Sequence, residues 1–69
     1  MRIRTIETLE HWQILKTALI ENKYKLWQMQ FSYDAPQGFH AWFWKGDKQV
    51  EVTTHNINVQ MDIVSGGLS

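Results

Sequence analysis

Three histidines, His11, His40 and His55, are the side chains best suited to acid–base or metal chemistry near neutral pH. Their placement supports neither. A metal site needs His, Cys or carboxylate ligands at short, repeated spacings. These histidines fall on a predicted helix, a predicted strand and a predicted turn, and the chain has no cysteine. Asp34 and His40 flank one loop, but a lone loop carboxylate beside a histidine is ordinarily solvated. The glycines are isolated apart from Gly66-Gly67, so there is no phosphate-cradling loop. Serines and threonines occur without the strained elbow that presents a hydroxyl nucleophile. The chain therefore reads as non-enzymatic, with no catalytic residue, metal or cofactor.

What remains is the chemistry of contact. The segment Phe39-His40-Ala41-Trp42-Phe43-Trp44 carries large apolar groups at odd and even positions alike. On a strand, successive side chains point to opposite faces. Phe39, Ala41 and Phe43 then share one face, and His40, Trp42 and Trp44 share the other. A domain this small rarely covers both faces of a sheet, so one aromatic set is a candidate for contact outside the chain.

Length and charge narrow the classes. The 69 residues make one domain, spanning 1–64, with Ser65-Gly66-Gly67-Leu68-Ser69 as a flexible tail. A chain of about 60 residues buries only roughly 60% of its unfolded surface. Disulfides are excluded, which leaves good packing or self-association to stabilise it. Seven basic and seven acidic residues cancel, which argues against a binder that relies on many phosphate contacts. No apolar run approaches the roughly 20 residues that span a membrane. Met1-Arg2-Ile3-Arg4 has no apolar signal region, so a cytoplasmic location is expected.

The elements that position the aromatic set follow from periodicity. Ile6 to Asn22 reads as a helix capped by Thr5, with Leu9, Trp12, Leu15 and Leu19 as its apolar stripe. Trp27, Met29, Phe31 and Tyr33 alternate with Gln28, Gln30 and Ser32 as a half-buried strand. Asp34 to Gly38 is a loop, Phe39 to Lys45 a second strand, and Gly46-Asp47 a tight turn into Lys48 to Thr54. Ile57, Val59, Met61 and Ile63 alternate with polar residues as a fourth strand. A short C-terminal helix capped by Asn56 is the alternative there, against which its many β-branched residues argue. Residues 2–4 are too short to assign. The fold class is α+β: an N-terminal helix packed on one face of a four-stranded antiparallel β-meander.

Register ties these elements together. Pairing Lys45 with Lys48 sets Phe43 opposite Val50, Ala41 opposite Val52 and Phe39 opposite Thr54. Pairing Tyr33 with Phe39 sets Phe31 opposite Ala41 and Met29 opposite Phe43. Every turn puts the apolar sets on one face, and a one-residue slip would scatter them. The other face then holds Trp42 between Gln30 and Glu51, and Trp44 between Gln28 and Gln49, with His40 alongside. These seven residues are the candidate partner-binding set. The plain reading is that the stems of Gln and Glu shield both indoles. The sharper one is a protein-interaction surface, used for a homodimer or for a regulatory or inhibitory partner. A single-stranded nucleic acid stacked on the same aromatics is the alternative function, opposed by Glu51.

Overall fold

A computed structural model describes residues 2–32 and 38–68. Its element order is β1 (Arg2–Thr5), α1 (Leu9–Glu21), β2 (Lys25–Ser32), β3 (Gly38–Lys45), β4 (Lys48–Thr54) and α2 (Ile57–Gly66). The class is α+β with a four-stranded sheet, but the sheet is not an antiparallel meander. Its order is β1-β4-β3-β2, and β1 runs parallel to β4.

The expected fourth strand is instead α2, and Asn56 is the reason. Its Oδ1 accepts from the backbone N–H of Asn58 at 2.8 Å and of Val59 at 3.4 Å, closing the first turn. Its Nδ2 donates to the Glu7 carbonyl at 2.9 Å, which ties the cap to the loop before α1. The β-branched residues each disfavour a helix by only a few tenths of a kcal/mol. The alternation of apolar residues also contains the spacing i, i+4. Val59 and Ile63 share one helical face and are fully buried, while Ile57 and Met61 share another and are exposed. Ser65 and Gly66, which the sequence reading assigns to a tail, end α2, and Leu68 packs against the core.

The first helix also starts later than its periodicity suggests. Thr8, not Thr5, is the cap: its Oγ1 accepts from the His11 N–H at 3.1 Å. Thr5 belongs to β1, and buried Ile6 donates its N–H to the Thr53 carbonyl at 2.9 Å. At the far end, Lys23 takes φ 63°. Its N–H reaches the Ile20 carbonyl and that of Tyr24 reaches Leu19, the paired closure that normally recruits glycine.

The β3–β4 pairing is as the sequence implies, from Lys45 opposite Lys48 to Phe39 opposite Thr54. The β2–β3 pairing differs by two residues, so faces are kept but partners change: Phe31 lies opposite Phe39 and Met29 opposite Ala41. Tyr33 and the Asp34–Gln37 stretch lie outside the described residues. A bulge between Leu26 and Gln28 then sets Leu26, not Trp27, opposite Phe43.

Both helices bury their apolar faces on the sheet side that carries Phe39, Ala41, Phe43 and Val52. Trp12, fully buried, stacks on Phe43 with ring centroids 6.0 Å apart. Its Nε1–H donates to Asp62 Oδ2 at 2.6 Å, and Lys16 Nζ reaches the same oxygen at 3.0 Å. Asp62 thus joins the two helices rather than sitting on the solvent face of a strand. The Trp12 hydrogen bond, and then Lys16, hold its carboxyl below the usual range. The helices leave β2 overhanging. Trp27, Met29 and Phe31, read from the sequence as core, are 55%, 41% and 47% exposed. Leu9 and Met61, expected inside, are exposed as well.

Candidate functional site

No described element covers the opposite face of the sheet. It is built by cross-strand neighbours in rows. One row runs Ile3, Glu51, Trp42, Gln28; the next runs Thr5, Thr53, His40, Gln30. The third holds Gln49, Trp44 and Lys25. All seven residues of the sequence-predicted set therefore lie on one face. Two neighbour relations change with the β2 register. Trp42 sits between Gln28 and Glu51 rather than beside Gln30, and Trp44 sits between Lys25 and Gln49 rather than beside Gln28.

The face is ordered at its centre and open at one end. His40 Nδ1 lies 2.9 Å from Glu51 Oε2. An ionised carboxylate only accepts, so Nδ1 carries the hydrogen. That bond fixes the ring, and the ring lies over Trp42 with centroids 5.9 Å apart and planes 18° from parallel. Trp42 is consequently half-buried. Trp44, one pleat further on, has no such cover and is 46% exposed. Ile3 on β1 adds an exposed aliphatic group beside Glu51. Neither Ile3 nor Lys25 belongs to the sequence-predicted set. Ile3 enters only through the parallel β1–β4 pairing. Lys25 enters through the bulge, whose one sequence signal is the adjacent apolar pair Leu26-Trp27 breaking the alternation.

No family model, curated protein or solved structure matches this chain.

A histidine held by a carboxylate is also the base portion of a nucleophilic triad. The adjacent hydroxyl, Thr53 Oγ1, donates to Thr5 Oγ1 at 3.3 Å instead of to His40. His11 lies exposed on α1, and His55 is exposed after β4, its ring against Gly38. No group of three or more His, Asp or Glu side chains gathers among the described residues. Nor is any described helix long and apolar enough to cross a membrane. A broad groove between the end of α1 and the β3–β4 turn is lined by Arg4, Leu19, Tyr24, Lys45 and Lys48. Its three cations are all solvent-exposed.

Proposed function

We propose that this chain is a small protein-interaction domain whose contact surface is the open sheet face, with Trp44 as its anchor and a protein partner seated on it. The observation that carries the reading is the one-sided packing: both helices cover the Phe39–Phe43 face, and the Trp42–Trp44 face has no cover from any described element. A Trp side chain fully buries up to about 250 Å². At 46% exposure, Trp44 offers about 100 Å² to a partner, on the order of 2–3 kcal/mol before association costs. That is the size of an interface hot spot. Around it, Lys25, Gln49 and Gln28 supply a polar rim, and His40 with Glu51 keeps Trp42 in one orientation. Glu51 at the centre disfavours the phosphates of a single-stranded nucleic acid.

The test is site-specific photocrosslinking in the native host. A photoreactive residue replacing Trp44 should give discrete protein adducts that a probe at Ile14, exposed on α1, does not give. Trp42→Ser should weaken them. Identical adducts from both positions, or salt-sensitive capture of short oligonucleotides in place of protein, would overturn the reading.

A further inference from the structure

We propose that two copies of this chain associate edge to edge through β2, in antiparallel fashion about a two-fold axis perpendicular to the sheet. This goes beyond the contact face around Trp44 and does not depend on it.

The argument begins with the sheet order. β2 is the last strand, paired with β3 on one side and with no described strand on the other. An eight-residue edge strand presents a row of backbone donors and acceptors, and their complement is another extended strand. Natural edges are usually blunted by charge, proline or brevity. From Leu26 to Ser32 this edge has no charged residue and no proline, and only the bulge beside Leu26 interrupts it. The opposite edge is protected: β1 has four residues, two of them arginines. Pairing of β2 with β1 of another copy would build an open-ended ribbon, whereas β2 with β2 closes.

The strand is also complementary to itself. A two-fold axis perpendicular to the sheet keeps each copy's helices on the same side. The register centred on Gln30 sets Met29 opposite Phe31 and Gln30 opposite its own copy, and keeps the bulge at Leu26 outside the paired stretch. Zero net charge removes long-range repulsion between copies. The overhang supplies area. At about 200 Å² for a large side chain, the exposures of Trp27, Met29 and Phe31 leave about 300 Å² per copy. Two copies thus contribute about 600 Å² from these side chains, about half of the roughly 1,200 Å² of a specific interface, and the paired backbone and glutamines of both edges add the rest, which sets the dimer at the weak end. The product is a dimer that dissociates on dilution, with a continuous sheet of four strands from each copy.

The test combines mass and contacts. Sedimentation equilibrium of the parent should show a monomer–dimer equilibrium, with amide exchange at residues 26–30 slowing as concentration rises. Met29→Lys, which sets two cations near the axis, should shift the equilibrium toward monomer at least tenfold, while Trp44→Ser leaves it unchanged. Should Met29→Lys fail to fold, isotope-filtered NMR on mixed labelled and unlabelled parent decides, since it should show cross-copy contacts from Met29. A parent that stays monomeric at millimolar concentration would overturn the proposal. So would a dimer that Trp44→Ser abolishes, or cross-copy contacts confined to the open face; the last two would instead extend the face reading.

Discussion

Removing the Asp62 carboxylate is the sharpest test of how the two helices are held together. Asp62→Ala leaves the fully buried Trp12 indole N–H without its acceptor at 2.6 Å, and Lys16 without its partner at 3.0 Å. A hydrogen bond to a charged group is worth about 1.5–3 kcal/mol. The Lys16–Asp62 pair is partly exposed, at 19% and 30% of the side chains, so it adds at most about 1 kcal/mol. The expected loss is about 2–4 kcal/mol, or a fall in Tm on the order of 10–30 °C for a domain of this size. Asp62→Asn keeps an oxygen acceptor and should lose about half as much. The pH dependence follows from the depressed carboxyl, whose first cause is the Trp12 hydrogen bond and second is Lys16. A folded-state pKa below the unfolded value of about 3.9 gives stability that is complete above that value and fades as pH falls through the folded one. The difference between the parent and Asp62→Asn should therefore be full at neutral pH and shrink below about pH 4. Urea melts at neutral and acid pH measure both. A loss under about 0.5 kcal/mol for Asp62→Ala at neutral pH would refute the argument, as would parallel pH profiles for the parent and Asp62→Asn.

Two further outcomes follow from the caps. Asn56→Ala should cost about 1–3 kcal/mol in chemical denaturation, because it removes both the α2 cap and the bond to the Glu7 carbonyl; a loss confined to a few tenths would mean that α2 is set by its buried face alone. Lys23→Gly should raise stability by about 0.5–1 kcal/mol, since φ 63° strains a side-chain-bearing residue more than glycine's chain entropy costs; an unchanged or lower midpoint would contradict the assignment of that strain.

How much of this was readable in the chain depends on which rule had a competitor. The β3–β4 hairpin was fully legible because Gly46, now seen at φ 59°, left one turn and one register. The open face was legible for the same reason, since the parity of β3 places His40, Trp42 and Trp44 together whatever happens elsewhere. The C-terminal segment was misread because its alternation satisfies a strand's period and a helix's i, i+4 spacing at once. A single side chain, Asn56, decides between them through backbone groups that periodicity ignores. Membership of the core was misread on β2 because burial there depends on how far two helices reach across a sheet. No local pattern encodes that distance, so Trp27, Met29 and Phe31 look internal by composition and lie outside by geometry.

The parallel strand β1 carries a kinetic consequence. Thr5 meets Thr53 across 48 residues of chain, and the edge it joins does not exist until β4 is laid against β3. β1 therefore joins the sheet after the β3–β4 hairpin, across a long loop closure. Ile3, Arg4 and Thr5 are all exposed, so the ladder is retained by its backbone bonds and by Ile6 just beyond it, not by burial of its own side chains. Such a strand opens at far less cost than global unfolding. Residues 2–5 should therefore lose their amide protons well ahead of the β3–β4 hairpin, and Ile3 would leave the open face each time they do.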